Sequence, residues 1–150
     1  RNVTGVQTCA LPICPNGDDA YLGRVLRYGD TTDAGSQVKA LQSFGVTASL
    51  VKNAGWSTIQ QQIDQGIPVP IGILHHGTVK APTGGGHWIC AIGYSDDAIT
   101  VHDPFGDLDL VNGGYVNNWG ARLRYSRQNL GPRWMVEGPN TGWAMIANPS

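Results

Sequence analysis

Two short apolar runs, residues 88–94 (WICAIGY) and 98–102 (AITVH), flank Ser95, Asp96 and Asp97. Both runs are rich in β-branched and aromatic side chains, and the residues between them are turn formers, so the stretch predicts a β-hairpin. A turn centred near Ser95 brings His87, just before the first strand, opposite Asp103, just after the second. Cross-strand neighbours have Cβ atoms roughly 4.5–5.5 Å apart, close enough for a carboxylate to accept an imidazole N–H. Such a contact fixes the tautomer and orientation of the ring, as a general base requires. Glycines crowd the same end, with Gly84, Gly85 and Gly86 before His87 and Gly106 shortly after Asp103, which lets other atoms approach closely. All four histidines, His75, His76, His87 and His102, lie between Gly72 and Gly106.

Upstream, residues 18–29 (DDAYLGRVLRYG) place Tyr21, Leu22, Val25 and Leu26 on one face and end at Gly29. They predict a helix of about three turns. Ser36 is placed to cap a second helix that turns Val38 and Leu41 inward and stops at Gly45. A strand over residues 47–51 follows, then a third helix opened by Ser57 or Thr58 with Ile59 and Ile63 one turn apart, then a buried strand over residues 67–74. Residues 77–86, ending in three glycines, read as a mobile flap over a cleft. Beyond the hairpin, residues 107–120 read as irregular, 122–125 as a short strand, Ser126 as the cap of a turn of helix, and 142–147 as the last strand. Helices first and an antiparallel sheet afterwards is the order of an α+β domain. Trp56 and Trp88 read as core; Trp119, Trp134 and Trp143 read as core or as walls of a groove, with core preferred.

The chain has 150 residues, 41% of them hydrophobic, enough for one domain with a real core. Its net charge is −1 and its basic residues are scattered, which argues against a nucleic-acid footprint or a membrane-surface patch. No run approaches the roughly 18 apolar residues of a membrane span. The three cysteines, Cys9, Cys14 and Cys90, form neither a metal pattern nor a disulfide framework. Cys90 shares its strand parity with Trp88 and reads as a small core residue pointing away from His87. Residues 3–13 (VTGVQTCALPI) resemble a translated sequencing adaptor, as in a metagenomic read. The expectation is a non-native leader over residues 1–14 and a single, N-terminally truncated domain over residues 15–150. On that reading Asn2 is no glycosylation site and Cys9 no nucleophile.

Gly66-Ile67-Pro68-Val69 before a strand, Gly86-His87-Trp88 leading the next, and His102-Asp103-Pro104-Phe105-Gly106 after the hairpin together resemble the C39-like cysteine peptidases of the papain-like group. Gly17 to Tyr21 and Gly29-Asp30-Thr31 further resemble phage-associated members of that family, many of which are cell-wall lytic, endolysin-like proteins. The resemblance implies a papain-like fold with N-terminal helices packed on an antiparallel sheet, and a peptidase or amidase secreted or acting at the bacterial cell wall. It implies His87 as general base, Asp103 as its orienting acid, and Gly86, Trp88 and Trp119 beside a peptide or peptidoglycan substrate. It implies no cofactor and no metal, and a monomer is expected.

In the family the nucleophilic cysteine opens a helix upstream of both residues, with a glutamine before it. Helix-terminal amides and an adjacent imidazolium lower a thiol pKa. Here no glutamine and cysteine precede the first helix in that arrangement, and the fragment is expected to be inactive. Cys14 is the one candidate in the region, but Pro15, Asn16 and Gly17 separate it from the helix. A zinc hydrolase is a rival, with His75, His76, His87, His102 and Asp103 as possible ligands, although no short ligand spacing such as HExxH is present. A non-catalytic peptide- or glycan-binding domain on the same fold is the other.

Overall fold

The computed structural model describes residues 21–148. The expected leader over residues 1–14, with Cys9 and Cys14, lies outside the described residues, as does the expected helix start at Asp18.

Helix α1 (Tyr21–Tyr28) ends at Gly29, and α2 (Ala34–Ser43) follows after a short turn. The cap of α2 is Asp33 rather than Ser36: the Asp33 carboxylate accepts from the backbone N–H and the hydroxyl of Ser36, at 2.7 and 2.8 Å. A carboxylate reaches the N3 amide from the N-cap position, whereas Ser36 already sits inside the first turn. Strand β1 (Ala48–Ala54) runs three residues beyond the expected Val51 and leads into α3 (Trp56–Asp64). That helix begins before Ser57, because the Thr58 hydroxyl accepts the Gly55 N–H at 3.1 Å and so satisfies the helix entry.

Strands β2 (Val69–Ile73), β3 (His87–Tyr94) and β4 (Ala98–His102) form a meander. Residues 107–120, expected to be irregular, hold a small ribbon of β5 (Asp107–Leu108) and β6 (Tyr115–Asn117). Strand β7 (Leu123–Ser126) leads into α4 (Arg127–Trp134), a full helix rather than a single turn, in which the Ser126 hydroxyl accepts from the Asn129 N–H. Strand β8 (Gly142–Ala147) is as expected in extent. It does not extend an edge: the sheet order is β1-β8-β2-β3-β4-β7, with every neighbouring pair antiparallel.

Alternation along β3 divides the sheet into two faces. Ile89 and Ala91, with Val69, Ile71 and Ile73 of β2, pack against Ile59 and Ile63 of α3 and Leu130 and Trp134 of α4. Trp88 and Cys90 point the other way, where the Trp88 indole N–H reaches the Thr32 carbonyl and Tyr21 of α1 lies near Cys90. Burying six isoleucines (Ile59, Ile63, Ile71, Ile73, Ile89 and Ile99) on the first face contributes about 1.5–3 kcal/mol per side chain before chain entropy is counted. Trp134 is buried and donates its indole N–H to the Trp143 carbonyl. The core assignment fails for Trp119 and Trp143, which are 70% and 43% exposed. Trp143 lies on the outer side of β8, where Lys52 covers its ring, and Trp119 lies in the loop after β6. No helix among the described residues is long and apolar enough to cross a membrane.

Candidate active site

His87 opens β3 on the α3–α4 face and is 4% exposed. Its Nε2 stands 2.8 Å from Oδ1 of Asp103, which is 1% exposed. The same carboxylate accepts the Phe105 N–H at Oδ1 (3.0 Å) and the Tyr125 hydroxyl at Oδ2 (3.1 Å). A carboxylate only accepts, so Nε2 of His87 carries the ring proton and the lone pair of the neutral ring is at Nδ1. Tyr125 keeps its own proton, since burial and the Asp103 charge both push its phenol upward.

Asp103 does not face His87 in the strand register, contrary to the sequence expectation. Cys90 pairs with His102 and Ala91 with Val101, and beyond Ile92 the register shifts so that Gly93 pairs with Thr100. Ile92 is the extra residue of a bulge, and β4 ends at His102, so Asp103 is already in the following turn. The turn aims it. The Asp103 N–H donates to the Gly120 carbonyl (2.8 Å), and the Asp103 carbonyl accepts from the Gly106 N–H (3.2 Å). Two glycines make that packing possible. Gly106 has φ +120°, and a Cβ on it would stand 2.0 Å from the Asn117 carbonyl oxygen. A Cβ on Gly120 would stand 1.7 Å from the Asp103 carbonyl oxygen.

Three further rings surround His87. His75 and Phe105 lie nearly parallel to it, each with its centroid 4.6 Å away, and Tyr115 presents its edge at 6.1 Å. Rings on opposite faces of His87 would stand about twice 4.6 Å apart; His75 and Phe105 are 5.7 Å apart and so flank the same side. His75 Nδ1 is 3.0 Å from the Tyr115 hydroxyl. Burial, helped by His87 and His76, brings the His75 pKa down to about 4, and burial raises that of Tyr115.

The loop carrying His75 is held by Arg133 of α4, which is fully buried. Its guanidinium donates to the carbonyls of Leu110 (2.8 Å), Leu74 (3.1 Å), His76 (3.1 Å) and Gly77 (2.7 Å). Residues 77–86 are accordingly no free flap. His76 and Thr83 exchange two backbone hydrogen bonds of 2.9 Å, and the Val79 N–H donates to the Val111 carbonyl at 2.8 Å.

Of the other candidates, Gly86 and Trp88 line a cleft of about 260 Å³ together with Thr32, Gly72, Val136 and Trp143. Trp119 does not line it; its loop backs Asp103 instead, through Gly120. His102 lies on the Cys90 face, and its Nδ1 accepts the Arg122 N–H at 3.2 Å. Cys90 is the one free cysteine among the described residues; it is buried, its thiol pushed up to about 12, and it faces away from His87. No group of three His, Cys, Asp or Glu side chains among the described residues is arranged to hold a metal ion, and the clustered histidines stack on one another instead. Sequence reading assigned no role to Tyr115, Tyr125 or Arg133. Nothing local marks them, because each reaches the site across a long chain separation.

No curated protein matches the chain. Solved structures that share its fold include two peptidase domains. The peptidase domain of Streptococcus ComA, a bi-functional ABC transporter involved in a quorum-sensing pathway, is 17% identical with a TM-score of 0.50, over 88% of this chain and 90% of that one. The peptidase domain of Streptococcus mutans ComA is 14% identical with a TM-score of 0.50, over 94% of this chain and 99% of that one. Both are C39 peptidase domains of papain-like fold, in agreement with the mixed helix and antiparallel-sheet architecture. The sequence itself matches the Peptidase_C39 like family over residues 16–125, a span holding β2, the His87 hairpin and the Asp103 turn, and the chain belongs to that family.

Proposed function

We propose that the domain is the body of a cysteine peptidase or amidase, with His87 as general base and Asp103 as the residue that positions it. The observation that carries this reading is the buried 2.8 Å contact, which occupies Nε2 and leaves Nδ1 to a thiol. In the reaction, Nδ1 takes the thiol proton and the thiolate attacks an amide carbonyl, forming a C–S bond. The imidazolium then gives that proton to the leaving amine as the C–N bond breaks. A water deprotonated at Nδ1 attacks the thioester, the acid is released, and the proton returns to sulfur.

Cys90 does not fit the role, being buried on the opposite face with a raised pKa. We assign the nucleophile to a cysteine at a helix start upstream of residue 15, and the present chain to a piece without turnover. As substrate we propose the peptide part of peptidoglycan, which places the enzyme outside the cell or at its wall. The support is the resemblance of Gly17 to Thr31 to phage-associated members of the family. The test begins with the source gene upstream of the Pro15 codon. Expressed with that segment, the protein should release new amino groups from purified peptidoglycan. Changing the upstream cysteine to alanine, or His87→Ala, should abolish the release, and Asp103→Ala should slow it. Full activity in His87→Ala would sink the proposal.

The described residues contain no accessible cysteine, which favours one second reading: the domain binds a peptide or glycan in the Gly86–Trp88 cleft without cutting it. Saturable binding of peptidoglycan fragments, with no cysteine at a helix start in the upstream segment, would establish that reading over the first.

A further inference from the structure

His75 stands where β2 leaves the sheet, a position at which a side chain is normally free to wander. Here the backbone on both sides of it is clamped. The Leu74 N–H donates to the Arg133 carbonyl (2.9 Å), the His75 N–H to the Gly84 carbonyl (3.2 Å), and the Arg133 guanidinium holds the carbonyls of Leu74, His76 and Gly77. Tyr115, 40 residues away in sequence, fixes the ring itself through Nδ1. A guanidinium buried against four carbonyls is a costly arrangement, since burial opposes its charge and the Asp109 carboxylate offsets that only in part. What it holds in place is the loop bearing the His75 ring.

The Asp103 contact fixes one atom of His87, Nε2. A single hydrogen bond leaves the imidazole free to swing about the N···O direction, and of the two rings stacked on it Phe105 is itself 57% exposed, which leaves His75 as the anchored one. A ring packed nearly parallel at 4.6 Å, with a 22° angle between planes, restrains the plane itself. We propose that His75 is a positioning residue that sets the plane of the His87 imidazole, and so aims Nδ1, while Tyr115 and the Arg133-held loop keep His75 in register. The groups facing His75 are His76, His87, Arg133, Asp103 and Tyr115. Burial first, then His87, His76 and Arg133 against the opposing Asp103 charge, hold His75 uncharged at neutral pH, so it neither competes with His87 for the proton nor repels the imidazolium. The inference rests on the reading of His87 as base, and it is tested without turnover.

The test is proton and nitrogen magnetic resonance of the histidine rings in the whole chain, with no substrate. The readouts are the water-exchange rate of the His87 Nε2 proton and the ring tautomer. His75→Ala should speed that exchange roughly tenfold, and His75→Phe, which keeps a flat ring, should restore it. Tyr115→Phe should give a smaller increase, roughly threefold. Circular dichroism checks folding. If His75→Ala does not fold, the other two variants decide: His75→Phe should keep the slow exchange and the tautomer of the parent, and Tyr115→Phe should speed the exchange. Exchange in folded His75→Ala equal to the parent, or no response of either ring to Tyr115→Phe, overturns the inference. Failure of the peptidase reading would appear as absence of turnover in the extended protein, with these ring signals unaffected.

Discussion

His87 and His102 belong to the same hairpin, are almost equally buried, and have opposite fates. His87, 4% exposed, ends in a carboxylate and a cluster of aromatic rings. His102, 3% exposed, faces Cys90 and accepts a backbone N–H from Arg122, which it holds at φ +55°. Asp103 follows His102 directly in the chain yet serves the other histidine. Strand parity would send two consecutive residues to opposite faces, and the turn that begins at Asp103 then carries its side chain back along the sheet to His87. The histidine that acquires chemistry is therefore the one near a turn built from glycines, and its twin is a fastener for an awkward backbone.

The comparison is tested most severely by removing the carboxylate. Asp103→Ala leaves His87, the Tyr125 hydroxyl and the Phe105 N–H without their acceptor in a dry site, and should cost about 3–5 kcal/mol in guanidinium chloride unfolding. A loss below about 1 kcal/mol, the range of exposed ion pairs, would mean that the pair is not the buried unit described. Next in size is Gly120→Ala, which disturbs the turn and leaves every site side chain in the sequence. A methyl group 1.7 Å from the Asp103 carbonyl oxygen must push the two segments apart. The expected cost is about 1–3 kcal/mol, together with loss of the protected His87 Nε2 proton from the magnetic resonance spectrum. Tyr125→Phe removes one donor from Asp103 and the acceptor of the Leu108 N–H, and should cost about 1 kcal/mol by the same denaturation measurement.

Where sequence reading succeeded, the information was local. The hairpin strands and the inward turn of Cys90 away from His87 follow from alternation and turn chemistry within about twenty residues, whereas His87 and Asp103 meet through the turn after β4 and not through the facing register that the sequence suggested. The register escaped it because β3 is buried on both faces, so Ala91 and Ile92 are both apolar and alternation leaves no mark of a bulge between them. His75 was visible only as one of several possible metal ligands. Its actual partners, Tyr115 and Arg133, come from a two-strand ribbon and a helix that composition presented as loop and turn. Trp119 and Trp143 show the same limit from another side. An indole in a glycine-rich segment says nothing about its own exposure, and the placement of β8 inside the sheet is a property of chain topology.

The smallest expected effect separates the two histidine environments by pH. His75 and His102 are both held below the ordinary histidine value of 6.5, mainly by burial; for His75 the folded value is about 4. Between those values the unfolded chain binds more protons than the folded one, so stability is undiminished above 6.5 and declines as the pH falls toward 4. His102→Gln keeps an oxygen to accept the Arg122 N–H and removes one of the two titrations. It should therefore flatten the acid side of the melting-temperature profile while leaving the His87 Nε2 proton and tautomer as they were. His75→Phe should flatten the same limb, and its ring should preserve the His87 signals. Ala at position 75 removes the titration and the ring together, so it should flatten the limb and disturb His87. If His102→Gln instead altered the His87 tautomer, the two faces of the hairpin would be coupled, and the division between a working histidine and a structural one would not hold.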